Sequence, residues 1–282
     1  MPDVIVKTAY DPRPIGVFDS GFGGTSTLRD MLLELPGERF IYYGDNAHAP
    51  YGDRPESEIL MLSEAAAEFL LGKGVKALVI ACNTATSASI KALRQKLDVP
   101  VVSVEPAIKP ACMAEGSGKI LMLATKATTK LARYRALQQR MPDPSRVINV
   151  GCSGIVNRIE RGIIADDAFD DILSRCLAPY EGLTVDGIVL GCTHFPFISG
   201  AISRYASAHF KGECRLYDGN AGTAHQLRRV LTQNRLLSCE LEGAGSPVSD
   251  NSVSRVSFYT SAERESAEPI FRMLLDLPIQ KH

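Results

Sequence analysis

The sequence predicts an α/β fold with largely parallel sheets, because nine short apolar segments rich in Val and Ile alternate with stretches of helical periodicity along the whole chain. The segments are IGVF at 15–18, FIYYG at 40–44, ALVIA at 77–81, VVSV at 101–104, KILMLAT at 119–125, RVINVG at 146–151, GIVLG at 187–191, RLYDG at 215–219 and VSFYT at 256–260. They run without polar alternation, which predicts strands buried on both faces. A repeated strand ending adds a hint of duplication. ALVI-Ala81-Cys82-Asn83-Thr84 and GIVL-Gly191-Cys192-Thr193-His194 both set a Cys directly after an apolar strand, with small polar residues and a helix following. Nine strands fit one sheet or two; two similar domains facing each other would put one Cys on each side of a shared cleft.

In chain order, the first strand ends in Asp19 and gives way to Ser20-Gly21-Phe22-Gly23-Gly24-Thr25, a turn whose backbone N–H groups suit an anion. It is a poor dinucleotide fingerprint, since Ser26 holds the third glycine position and no P-loop occurs, so a carboxylate is the expected ligand. The second strand leads into YGDNAHAPYGDRP, too long for a simple connection, in which His48 reads as a surface residue. A helix is expected over 57–71, with Ser57 as N-cap, Ile59, Leu62, Ala66, Phe69 and Leu70 on one stripe, and Gly72 as stop. Asn83 or Thr84, and Thr193, are the expected caps of the helices after the two cysteines. Glu160 falls on a short helix, where the residues alone read as a solvated carboxylate. Gly243, Gly245, Ser246 and Pro247 mark a polar loop before the last strand.

The 282 residues suffice for one large domain or two modest ones, and 45% hydrophobic with 22% charged residues is ordinary for a globular protein. The formal net charge of −1 offers no global field for nucleic acid or anionic lipid, so no direct nucleic-acid binding is expected. No apolar run reaches the roughly 18 residues of a membrane span, and the start lacks a secretory signal, which predicts a cytoplasmic protein. Seven cysteines without CxxC spacing fit reduced thiols better than a disulfide framework or a metal site, and no metal is expected.

Most single cysteines are small buried hydrophobes, and Cys112, Cys152, Cys176, Cys214 and Cys239 are read so, with Cys152 the least secure because it too ends a strand. The matched positions of Cys82 and Cys192 reverse that reading for this pair. Open α/β sheets carry their chemistry at the carboxyl ends of strands. A helix N-terminus there is expected to favour thiolate, making each Cys a nucleophile or a base. His194, two residues beyond Cys192, is placed to assist it.

Taken together, IGVFDSGFGG at 15–24, YYGDNAHAPYG at 42–52, ALVIACNTAT at 77–86, VEPA at 104–107 and GIVLGCTHFPF at 187–197 resemble the glutamate racemases of the aspartate/glutamate racemase superfamily. Phe195 and Phe197 stand where that family often has Tyr and Leu, and Asp218-Gly219 where Asp-Ser-Gly is commoner. The resemblance implies two doubly wound parallel-sheet domains with pseudo-twofold symmetry and the active site in the cleft between them. It places residues 1–104 with 218–282 in a discontinuous domain carrying Cys82, and residues 105–217 in a second carrying Cys192. It further implies cofactor-independent interconversion of L-glutamate and D-glutamate for bacterial peptidoglycan. Cys82 then resembles the cysteine that deprotonates D-glutamate, with Asp19 assisting. Cys192 resembles the one that deprotonates L-glutamate, with His194 and Glu160 assisting. Substrate contacts map to Asp19, Ser20, Tyr51, Gly52, Asn83, Thr84, Thr193 and His194. A homodimer and a cell-wall precursor as activator are the implied partners besides substrate. Two bases flanking Cα within about 3 to 3.5 Å each would lie roughly 6 to 7 Å apart.

Overall fold

The computed structural model describes residues 10–238 and 252–278, so Cys239 and the Gly243–Pro247 loop lie outside the described residues. All nine expected strands form: β1 Ile15–Asp19, β2 Phe40–Gly44, β3 Ala77–Ile80, β4 Val101–Ser103, β5 Lys119–Ala124, β6 Val147–Gly151, β7 Val185–Leu190, β8 Arg215–Tyr217 and β9 Val256–Thr260. They make two wholly parallel sheets, and the protein is therefore two α/β domains. One sheet has the order β4-β3-β1-β2-β9 and the other β6-β5-β7-β8. Read from the other edge, the second sheet is β8-β7-β5-β6, so four strands of each sheet repeat one winding order. In that correspondence β3 matches β7, and Cys82 and Cys192 occupy equivalent strand ends.

The strands bury both faces, as their continuous apolar sequences require. From β1, Ile15 and Val17 join one core while Phe18 joins another; from β5, Leu121 and Leu123 face the first core while Ile120, Met122 and Ala124 face a third. The shared core runs from the first sheet through Phe22, Phe258 and Phe271 into Ile155, Ile159 and Phe195 of the second domain. Apolar packing thus fixes the floor on which the polar residues between the domains stand. Helix Asn220–Gln233, which follows β8, packs back on helix Thr25–Glu34 through Thr27 Oγ1 to Asn220 Oδ1 at 2.7 Å and Arg228 to Glu34 at 3.0 Å.

Helix ends depart from expectation. The helix placed at 57–71 spans Glu56–Gly72, with Pro55 rather than Ser57 at the N-cap and Lys73 after it. Pro55 at φ −67° is already set for a helix start, and Glu56 and Glu58 favour the positive end, so no hydroxyl cap is needed. No described helix is long and apolar enough to cross a membrane.

Candidate active site

Cys82 is itself the N-cap of helix Asn83–Lys96, so Asn83 and Thr84 lie inside the helix and are not its caps. Its Sγ accepts from Ala85 N–H at 3.4 Å and lies 3.4 Å from Ser20 Oγ. These contacts favour thiolate, yet burial and then the Asp19 charge outweigh them and push the thiol up to about 12. The expected lowering by a helix end is therefore overturned: two weak sulfur contacts do not replace lost water. Opposite, Cys192 leads into the short 3₁₀ turn Phe195–Ile198, whose N-cap is His194 rather than Thr193. Cys192 thus caps no α-helix, unlike Cys82; its sulfur lies 3.7 Å from His194 Nδ1.

His194 and Glu160 form the centre of the second side. His194 Nε2 lies 2.6 Å from Glu160 Oε1, which also accepts from Phe22 N–H at 2.7 Å, while Glu160 Oε2 accepts from Asn46 Nδ2 at 2.9 Å. Burial opposes the imidazolium, but bonds to Cys192 and Glu160 and their charges hold it well above the usual histidine range. Glu160 is thus no solvated carboxylate. The glycine-rich turn does hold carboxylates, but they belong to the protein: Gly21 N–H binds Asp19 Oδ1 at 2.8 Å and Phe22 N–H binds Glu160.

Asp19 is fully buried, and desolvation lifts its carboxyl to about 6 against the attraction of His194 and the N–H groups of Gly21 and Gly24. Its Oδ2 accepts from Thr193 Oγ1 at 3.2 Å, a contact between the two domains. Ser26 Oγ donates to Thr193 O at 2.8 Å, and a Cβ on Gly23 would meet His194 Nδ1 at 2.4 Å, so the first turn lies tight against the Cys192 loop. Tyr51 is buried with its hydroxyl donating to Asp45 Oδ2 at 2.6 Å, and Gly52 faces Thr125, whose Cβ is 2.8 Å from where a Gly52 Cβ would stand. His48 is half-exposed and paired with Asp45 at 2.8 Å.

Thr125 and Thr128, absent from the sequence-based set, belong to this cluster. Thr84 Oγ1 lies 3.2 Å from Thr125 Oγ1 and 3.1 Å from Thr128 Oγ1, which are 3.0 Å apart from each other. The duplication carries the signal that locates them: Thr125 follows β5 as Ser20 follows β1. Asn83 Oδ1 and Thr86 Oγ1 are buried without a partner, and such groups cost free energy unless something fills them. Cys112, Cys152, Cys176 and Cys214 are unpaired by disulfide. Cys152 packs against Cys176 in the second domain's core, where their mutual hydrogen bond and burial raise Cys152.

Residues 33–227 match the family model described as Asp/Glu/Hydantoin racemase. The chain is 42% identical over 233 residues to a glutamate racemase of Clostridium perfringens, covering 82% of this chain and 88% of that protein. It is 38% identical over 255 residues to one of Clostridium botulinum, covering 90% and 94%. Among solved structures it resembles the Francisella tularensis glutamate racemase in complex with D-glutamate, at TM-score 0.77, 26% identity and 96% coverage of both chains. It also resembles the Escherichia coli glutamate racemase in complex with L-glutamate and the activator UDP-MurNAc-Ala, at TM-score 0.76, 29% identity, and 93% and 96% coverage. On the family match, these identities and the shared two-domain fold, the chain belongs to the Asp/Glu/hydantoin racemase family, alongside its glutamate racemases.

Proposed function

We propose that this chain interconverts L-glutamate and D-glutamate with no cofactor, one thiolate taking the Cα proton while the thiol on the opposite face gives its own proton to Cα. The observation that carries the reading is the pair of buried cysteines at equivalent ends of β3 and β7, close enough that the Cys192 charge acts on Cys82. An amino-acid Cα–H is a very weak acid, so the carbanion-like transition state must be met by fixed dipoles in a site that excludes water. In this proposal Cys82 removes the proton of D-glutamate while Cys192 delivers its own thiol proton to the opposite face, and the two exchange roles for L-glutamate. Asp19 assists Cys82, and the Glu160–His194 pair assists Cys192.

A thiol as high as Cys82 is a poor acid, and the substrate ammonium supplies the positive charge that draws it down. Asn83 Oδ1 is the unfilled acceptor for that ammonium, and the hydroxyls of Thr84, Thr125 and Thr128 are donors for a substrate carboxylate. Ser20, Tyr51, Gly52 and Thr193 complete the contacts. Closure of domain 105–217 on the domain formed by 1–104 and 218–282 traps substrate and expels water. The assignment extends to a bacterial cytoplasmic homodimer that supplies D-glutamate for peptidoglycan and responds to a cell-wall precursor.

The test follows the circular dichroism of D-glutamate with purified protein, a thiol reductant and a chelator. Decay to zero signal, absent in both Cys82→Ser and Cys192→Ser, is the expected outcome. A flat trace for the parent protein, with and without UDP-MurNAc-Ala, would refute the reading. Faster turnover of aspartate than of glutamate would move the assignment to another substrate of the family, since one methylene normally separates such substrates by about 10- to 200-fold.

A further inference from the structure

Glu160 is held from both domains, and one of its supports has no role in the proton transfer just described. Asn46, beyond β2, donates Nδ2–H to Glu160 Oε2 at 2.9 Å, while its Oδ1 accepts from Thr260 Oγ1 at 2.8 Å. The Thr260 hydroxyl accepts in turn from Ala262 N–H at 3.1 Å, which anchors the chain of bonds in the backbone after β9. The amide orientation follows from its neighbours: a carboxylate oxygen only accepts, and a hydroxyl already accepting has its proton free to donate. The side chain folds back over Gly44, where a Cβ would stand 2.6 Å from Asn46 Oδ1, so the strand end is shaped to admit it.

We propose that Asn46 is a positioning residue for the Cys192 side of the reaction, fixing Glu160 from the opposite domain so that His194 addresses the Cys192 sulfur. This rests on the racemase reading above. The relay runs Thr260, Asn46, Glu160, His194, Cys192; Thr260 ends β9 and Asn46 follows β2, both strands of the sheet whose β3 leads into Cys82. The basic equipment of one thiol is therefore completed only when the domains are together. Phe22 N–H supplies the second first-domain bond to Glu160, at 2.7 Å, and leaves Oε1 shared with His194. Without Asn46, Oε2 has no donor, and the carboxylate is free to turn away from the imidazole. The titratable groups facing Glu160 are His194, Asp19 and Tyr42.

The test compares Asn46→Asp and Asn46→Ala with the parent in the full chain, starting from each enantiomer across about pH 5 to 9. Asp keeps the size of Asn and the acceptor for Thr260, but faces Glu160 with a second carboxylate. We expect kcat for Asn46→Asp to fall about 10- to 100-fold at neutral pH, the span of a lost charge-assisted hydrogen bond, with KM within about twofold. The deficit narrows toward pH 5, where protonation of the new carboxyl restores a donor. Asn46→Ala is expected to lose about tenfold in kcat at every pH, because no proton can restore its donor. Parental kcat in both variants would overturn the proposal, as would an Asn46→Asp loss that does not vary with pH and tracks a fall in Tm. A parent protein that fails to racemise glutamate would refute the functional reading instead, and the proposal with it.

Discussion

At the scale of single residues, Asp19 carries the sharpest conflict between stability and chemistry. Its side chain is wholly buried, and its carboxyl is raised from 3.8 to about 6, chiefly by lost hydration. The folded state therefore holds the proton more tightly than the unfolded chain does. Stability is full below the unfolded value of 3.8 and is lost as pH rises through about 6. Two pH units amount to roughly 3 kcal/mol. Asp19→Asn keeps an acceptor for Gly21 N–H and deletes the buried charge. Urea unfolding is expected to find it about 2 kcal/mol more stable than the parent at about pH 8 and indistinguishable at about pH 3.5. The same change is expected to lower kcat/KM about 100-fold and to abolish the acid limb near pH 6. Greater stability with full activity would remove Asp19 from the mechanism. Asp19, Cys82 and Cys192 were legible because each ends an apolar strand. Glu160 was readable only through the family resemblance and not from its own surroundings in sequence, because its partners Phe22 and His194 stand 138 and 34 residues away.

At the scale of elements, the glycine-rich turn acts as a wall as much as a cradle. A Cβ on Gly23 would lie 2.4 Å from His194 Nδ1 and 2.6 Å from Thr193 Oγ1. Gly23→Ala must then push the Cys192 loop aside. A displacement approaching 1 Å near reacting atoms costs about 100-fold in rate, whereas overpacking costs about 1 to 3 kcal/mol in stability. Steady-state kinetics beside urea unfolding should find the rate far more affected than the fold; near-parental kcat/KM would show that the two domains meet more loosely. Strand positions were readable throughout because parallel strands announce themselves as continuous apolar runs. Helix starts were not, since backbone geometry decides them: Pro55 begins one helix and a cysteine caps another. The charge state of Cys82 escaped the sequence for a related reason, as burial outweighed a helix end that sequence could place but not weigh.

At the scale of the molecule, the repeated winding order β4-β3-β1-β2 and β8-β7-β5-β6 puts a thiol at the equivalent strand end of each domain. Nine strands alone fitted one sheet or two, and only ALVIACNT and GIVLGCTH hinted at the repeat. Thr125 shows what that hint leaves out: it is Ser20's counterpart, yet nothing in LATKATT marks it until the two sheets are superposed in order. Above the shared apolar core, the domains meet through polar contacts, Thr193 to Asp19, Glu160 to Phe22 and Asn46, and Thr125 to Thr84. A base on each domain has a consequence that no single-base site shares. In the proposed mechanism, protium is removed on one face of Cα and a solvent-derived proton arrives on the other. The decisive measurement is early turnover of L-glutamate in D₂O, with both enantiomers separated and their Cα deuterium measured by mass spectrometry. The account predicts deuterium in the D-glutamate formed and protium in the L-glutamate recovered. Equal deuterium in both from the first time point, or protium retained in the product, would contradict it.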